Sequence, residues 1–189
     1  MIKICFTGHR PKKLCGYKKE SYNDFVVNLT ELLKKYITDD IMFITGGAQG
    51  FDQLAFWAVD NLMKENDTCY EIKNVVYVPF KGQENKWLQN GLFGKTEYKN
   101  MLRHASEIVY LNEHLTEQSA VIKALYERNH RMVNDSDYVI ALYSDNTWST
   151  TKGGTAECIR YAKSKNKQII QIKYSIANNK LCIEETTVI

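Results

Sequence analysis

The chain has 189 residues, of which 44% are hydrophobic and 25% charged, and its formal net charge is +3. This length suits one α/β domain better than two, and the hydrophobic content excludes intrinsic disorder. The charge lacks the strong basic excess of a non-specific nucleic-acid binder. We therefore expect residues 1–189 to form one folded domain, with nucleic acid an unlikely partner.

The five cysteines are odd in number and have neither C-x-x-C nor zinc-site spacing. No apolar run approaches the roughly 20 residues that cross a bilayer, and the first residues lack the layout of a signal peptide. We expect reduced cysteines, no metal, no cofactor, no membrane partner and a cytoplasmic location.

Short β-type segments alternate with helical segments along the chain, a pattern typical of a mostly parallel sheet with helices on both faces. The predicted strands are Ile2–Phe6, Ile41–Thr45, Val75–Val78, Glu107–Leu111, Tyr138–Tyr143 and Gln168–Lys173. The predicted fold class is α/β, with an open sheet.

The helices are predicted from apolar residues that recur at helical spacing. The first covers the apolar positions from Phe25 to Tyr36, with Ser21 as its expected cap three residues before Asp24. The second covers the positions from Phe51 to Met63. Its apolar face is expected to lie on the sheet.

The second half of the chain is less regular. The stretch from Gln83 to His104 predicts two short helices broken around Gly91 and Gly94, and Glu117–Asn134 predicts one longer helix. The tail, about 174–189, could form a hairpin or a strand at an interface between subunits. Homo-oligomer formation is therefore left open.

The loops after the strands form the candidate site, because ligands of open parallel sheets bind beyond the carboxyl ends of the strands. The first loop places Gly8, His9 and Arg10 before two lysines, Lys12 and Lys13. The glycine lets a ligand approach the backbone, and the cations favour an anion. A solvated basic loop is the alternative interpretation.

A glycine-rich loop containing Gly46, Gly47 and Gly50 follows the second strand and leads into a helix that carries Asp52. Such a turn can point backbone N–H groups and the positive end of a helix dipole at a phosphate. Asp52 could accept from a ribose hydroxyl or cap its helix. A tight turn between strand and helix is the alternative.

A second glycine-rich turn, with Gly153, Gly154 and Thr155, follows the fifth strand and also opens a helix. Glu157 lies in the first turn of that helix, where a carboxylate can be functional or can simply favour the helix dipole. Arg128 and Arg131 lie three residues apart near the end of the preceding helix and share a face, where one of them can fork onto a phosphate; a solvated helix face is the alternative.

These segments together resemble the SLOG superfamily, most closely its YpsA-like branch. The resemblance spans about Ile2 to Ile172. It rests on the segments Cys5–Leu14, Thr45–Asp52, Pro79–Gln83 with Trp87, Arg128–Asn134 and Gly153–Thr155. It implies a Rossmann-like fold and relatives that include DNA-processing proteins, nucleoside-monophosphate phosphoribohydrolases and proposed nucleotide sensors.

The phosphoribohydrolases carry E-R-K-x-x-M and P-G-G-x-G-T-x-x-E segments, whose Arg and final Glu are catalytic. Here Glu127, Arg128 and Met132 match the first segment, but Asn129 replaces its lysine. The second segment is shortened, and Glu157 falls two residues after the threonine instead of three. The resemblance therefore supports the binding half of the family site better than its catalytic half.

Three functions follow as hypotheses. The first is binding of a nucleotide or nucleotide-derived small molecule, as a sensor or sequestering protein, through the glycine-rich turns, Arg10 and Arg128. The second is hydrolysis of an N-glycosidic bond, with Glu157 and Arg128 catalytic. The third is single-stranded DNA binding, with Trp87 and Trp148 stacking on bases, which the low net charge disfavours.

Overall fold

A computed structural model describes all 189 residues and contains seven strands and five α-helices. In chain order these are β1 (Ile2–Gly8), α1 (Asn23–Lys34), β2 (Ile41–Thr45), α2 (Phe51–Glu65), β3 (Ile72–Val78), α3 (Lys95–His104), β4 (Glu107–Tyr110), α4 (Gln118–Asn134), β5 (Tyr138–Leu142), α5 (Gly154–Ser164), β6 (Gln168–Ala177) and β7 (Lys180–Val188).

All seven strands form one sheet in the order β4-β3-β2-β1-β5-β6-β7. The first six are parallel to their neighbours, and β7 is antiparallel to β6. The predicted mostly parallel, Rossmann-like α/β fold is confirmed. The strand order reverses between β1 and β5, which is where such sheets open a crevice for a ligand.

Helices cover both faces of the sheet because side chains alternate along each strand. In β1, Ile4 and Phe6 join the larger core cluster with residues of α1 and α2, whereas Cys5 packs on the opposite side. That opposite cluster contains buried residues of α4 and α5. A third cluster places α3 against β3. The carboxyl ends of the strands therefore project from a core packed on both faces.

The tail forms a β-hairpin with β6. Asn178 and Asn179 form its turn with φ angles of +51° and +59°, the left-handed region that asparagine tolerates better than most residues. β6 extends beyond the predicted Lys173 to Ala177 because its later residues pair with β7. Of the two structures considered for the tail, the protein adopts the hairpin.

Two local predictions are wrong. Ser21 does not cap α1, because it lies in a 3-10 turn and Tyr22 holds the cap position. The stretch from Gln83 to Gly94 forms turns instead of a first short helix, and only the second, α3, is present. Strand bounds also differ at several ends, since β3 begins at Ile72 and β1 continues to Gly8.

Candidate functional site

A cavity of about 390 Å³ lies at the carboxyl end of the sheet beside the switch from β1 to β5, and we call it the main cavity for this position in the fold. Its lining comes from the end of β1, the start of α2, one face of α4 and the start of α5. The residues are Phe6, Thr7, Gly8, Arg10, Ala48, Asp52, Ile122, Leu125, Tyr126, Arg128, Asn129, Gly154 and Thr155. This volume is that of a small-molecule site.

Arg128 is the most deeply buried charged residue of this cavity, with only 4% of its surface exposed. Its Nη1 donates to Oδ2 of Asp52 at 3.2 Å, and Asp52 also accepts from the backbone N–H of Ala48 at 3.3 Å. The Nε of Arg128 is buried and has no partner in the chain. Since buried polar groups are normally paired, the guanidinium is incompletely satisfied.

Gly46 makes this position of Arg128 possible. A Cβ at Gly46 would overlap Nη1 of Arg128 and lie 2.7 Å from Oδ2 of Asp52. The guanidinium therefore lies directly on the backbone of the loop after β2. The absent side chain at Gly46 provides room for a side chain of α4.

Arg10 adds a second guanidinium to the same cavity. Desolvation, assisted by the positive charge of Arg128, lowers the pKa of Arg10 below its ordinary value, while Asp52 opposes this shift. Arginine still stays protonated at neutral pH. Two arginine cations thus face one carboxylate, Asp52, and the lining of the cavity carries an uncompensated positive charge.

A second cavity of about 260 Å³ adjoins the first and shares Arg10, Gly154 and Thr155 with it. Its remaining lining consists of His9, Lys12, Lys13, Tyr143, Lys152, Gly153 and Ala156. The two cavities together collect eight of the twelve residues predicted for the site, namely Gly8, His9, Arg10, Asp52, Arg128, Gly153, Gly154 and Thr155.

The N-terminus of α5 opens onto both cavities. Gly153 precedes the helix with a φ of +137°, a conformation that is strained for any residue with a side chain. Gly154 is the first helical residue. The first backbone hydrogen bond of the helix runs from Glu157 N–H to the Gly153 carbonyl at 2.9 Å. The three preceding N–H groups are free to meet a ligand.

Hydrogen bonds join the loops that surround the site. The hydroxyl of Thr155 donates to the Gly8 carbonyl at 2.8 Å, and the N–H of Phe51 donates to the His9 carbonyl at 3.1 Å. A Cβ at Gly8 would collide with the Phe51 ring. The loop after β1 is consequently held between the starts of α2 and α5.

The other predicted glycines, Gly47 and Gly50, do not line either cavity, and neither does Gly46. Gly47 lies near Tyr98 of α3, and a Cβ at Gly50 would collide with the His9 carbonyl oxygen. In the structure this loop serves packing, and its Ala48 is the residue that reaches the main cavity.

Glu157 also lies outside the lining of both cavities. Its Oε1 pairs with Nε2 of His130 at 2.6 Å, and the His130 ring stacks on Tyr161 with centroids 3.7 Å apart. The second carboxylate oxygen is buried without a partner. The side chain is thus committed to the contact between α4 and α5.

Four residues of α4 line the main cavity without having been predicted: Ile122, Leu125, Tyr126 and Asn129. Their spacing places them on one face of the helix, with Arg128 at its edge. Ile122 and Tyr126 are large and exposed, at 46% and 39%. The sequence signal for these lining residues was a set of apolar residues at helical spacing just before a candidate arginine. The same pattern is equally typical of a helix that faces the core.

The fold and these cavities define an α/β protein with a cavity of small-molecule size at its strand switch. None of its helices has the length and apolar character needed to cross a membrane. Residues 4–176 match the family model YpsA, described as the YspA SLOG family. The chain belongs to this family.

One relative and two solved structures are similar to this chain. The SPbeta prophage-derived protein YoqJ of Bacillus subtilis is 33% identical over 71% of this chain and 78% of its own length. The X-ray structure of TM1055 covers 89% of this chain and 72% of its own, at 16% identity and a TM-score of 0.51. The X-ray structure of DNA processing protein A from Streptococcus pneumoniae covers 95% of this chain and 53% of its own length, at 13% identity and a TM-score of 0.57. These two structures share the fold.

Proposed function

We propose that this protein binds a nucleotide or nucleotide-derived small molecule in the main cavity, as a sensor or sequestering protein. One observation carries the proposal. Arg128, 4% exposed, lines the cavity, and its buried Nε has no hydrogen-bond partner in the chain. A nearly buried cation with free hydrogen-bonding capacity is stabilised by an anionic ligand.

A phosphate group fits this arrangement. Arg10 and Arg128 outnumber the one carboxylate of the lining, and the free N–H groups of α5 border the same space. Guanidinium groups bind phosphate oxygens in a bidentate manner, and a helix N-terminus adds oriented donors. The phosphate is expected between Arg10, Arg128 and the start of α5.

The apolar part of the lining, on α4 beside Arg128, suits a nucleoside. Ile122, Leu125 and Tyr126 provide an apolar surface on which a base can lie, and Asn129 provides both donors and an acceptor beside it. Ligand sites commonly combine such a surface with a few polar groups. The resemblance to proteins that act on nucleoside monophosphates supports the same ligand class.

Thermal unfolding with a panel of nucleoside mono-, di-, cyclic and dinucleotides tests the proposal. At about 100 times its dissociation constant, a ligand adds roughly 2.7 kcal/mol, or about 5–10 °C in melting temperature for a domain of this size. Mass spectrometry of small molecules released by denaturing the purified protein provides an independent measurement. A panel that leaves the transition unmoved, together with no released nucleotide, contradicts the proposal.

Hydrolysis of an N-glycosidic bond has less support, because it needs a carboxylate near the sugar to stabilise positive charge and orient water. Glu157 pairs with His130 outside the lining of the cavity, and Asp52, the one carboxylate that does line it, pairs with Arg128. No free carboxylate is therefore positioned for this chemistry.

We expect the wild-type protein to release no free base from nucleoside monophosphates, as measured by chromatography over long incubations. Glu157→Gln keeps the size of the side chain while removing its charge, and it should leave that result unchanged. Catalytic production of a free base by the wild type, lost in Glu157→Gln, would establish the hydrolase instead.

Single-stranded DNA binding is not supported by the two tryptophans suggested for it. Trp87 packs edge-on against Tyr98 with centroids 5.0 Å apart, and Nζ of Lys163 lies 4.8 Å from the Trp148 ring. Each tryptophan thus already has a partner within the fold. A mobility shift with a steep salt dependence is the result that would favour DNA.

A further inference from the structure

The second cavity is more strongly cationic than the first. Arg10, Lys12, Lys13 and Lys152 line it, and no carboxylate does. None of these four side chains forms a salt bridge within the chain, whereas lysines elsewhere, such as Lys34 and Lys64, do. Several unneutralised cations around one concavity favour an anion there.

His9 provides a second, independent indication of a ligand. It is 7% exposed and lines this cavity, yet neither ring nitrogen forms a hydrogen bond within the chain. Its ring packs against Tyr143, with centroids 4.7 Å apart. Burial and the charge of Lys13 lower the pKa of His9 to about 4. At neutral pH the imidazole is therefore neutral and keeps one N–H to donate.

The two cavities are adjacent. Both are lined by Arg10, Gly154 and Thr155, so both border the N-terminus of α5. The free N–H groups of that helix and its dipole face the junction. A group bound beside Arg128 is thus followed by a second anion subsite.

Resting on the proposed function, we propose that the ligand carries two linked phosphates, the first between Arg10 and Arg128 and the second in the cavity of His9, Lys12, Lys13 and Lys152. The chemical class is a nucleoside diphosphate or a diphosphate-bridged nucleotide. Arg10, at the junction, contacts both phosphates.

Titration calorimetry of matched nucleoside mono- and diphosphates tests this assignment. For the preferred base, the diphosphate is expected to bind at least about tenfold more tightly, the effect of one added charge-assisted hydrogen bond. A dinucleoside diphosphate of the same base distinguishes a terminal second phosphate from a bridging one. Tighter binding of either compound than of the monophosphate supports the second subsite.

The double variant Lys12→Gln/Lys152→Gln removes two exposed cations of this subsite. It should bind the diphosphate about tenfold more weakly than the wild type does. The difference in affinity between the mono- and diphosphate should therefore disappear. Lys86→Gln/Lys99→Gln is the matched control, since it removes the same charge at exposed positions that line neither cavity. The control should keep the difference in affinity between the mono- and diphosphate.

The outcomes separate the two proposals. Equal affinity of the wild type for mono- and diphosphates would overturn the second subsite. An affinity difference that persists in Lys12→Gln/Lys152→Gln would overturn it as well. Neither result would contradict the nucleotide site in the main cavity. Failure of every nucleotide to bind overturns both. His9→Phe keeps a planar ring against Tyr143 while removing both nitrogens. It should likewise reduce the difference in affinity between the mono- and diphosphate.

Discussion

Arg128→Ala is expected to abolish measurable binding of phosphate-bearing ligands. Each charge-assisted hydrogen bond that the guanidinium makes to phosphate is worth about 1.5–3 kcal/mol, so losing a bidentate contact weakens binding by two orders of magnitude or more. The change also leaves the carboxylate of Asp52 buried without its cation. Breaking a buried ion pair in this way costs about 3–5 kcal/mol of folding stability.

Two further variants separate binding from folding. Arg128→Ala/Asp52→Asn removes the unpaired charge, while the amide oxygen can still accept from Ala48 N–H, and it should recover much of the lost stability without recovering affinity. Arg131→Ala, on the same helix, removes an exposed arginine that pairs with Asp135 at 2.7 Å. It should bind ligand normally. Wild-type affinity in the folded double variant would show that Arg128 does not contact the ligand.

Gly46→Ala should have an effect out of proportion to one methyl group. The new Cβ would occupy the space of Nη1 of Arg128, so the guanidinium must leave its position beside Asp52. We expect binding to weaken and the free energy of unfolding to drop by about 1–3 kcal/mol, because the added methyl group displaces a buried guanidinium that remains in the chain. Calorimetry and denaturant titration measure the two effects.

Gly154→Ala is the matched comparison. Its Cβ would meet only Nδ2 of Asn129, at 4.0 Å, and the residue is helical without a positive φ. The free energy of unfolding should therefore stay the same or rise by up to about 1 kcal/mol. Binding should weaken, since the methyl group enters the lining of both cavities. Equal stability of the two alanine variants would refute the packing role of Gly46.

The sheet and most helices could be predicted because their patterns are local. β2 matches its predicted bounds, and α4 begins one residue after the predicted start. The turns before α3 could not be predicted, since they depend on distant contacts such as Gln49 Nε2 donating to the Phe93 carbonyl at 2.7 Å. The extension of β6 likewise depends on pairing with β7.

The site could be predicted in outline but not in the roles of its glycines. A sequence shows that Gly46 lacks a side chain, but it does not show that Arg128 of a distant helix fills the space. In the turn before α5, Gly153 has a positive φ and Gly154 does not. Phosphate binding and close packing both require small residues, so composition alone does not separate them.

The bonds from Phe51 N–H and Thr155 Oγ1 to the consecutive carbonyls of His9 and Gly8 have a consequence for how a ligand enters. Because the start of this loop is held in place before a ligand arrives, its backbone entropy there is already lost on folding and is not lost again on association. The free and occupied proteins should thus superpose closely around the cavities. Selectivity would then depend on which molecule fits this preformed site, with no loop closing over the ligand.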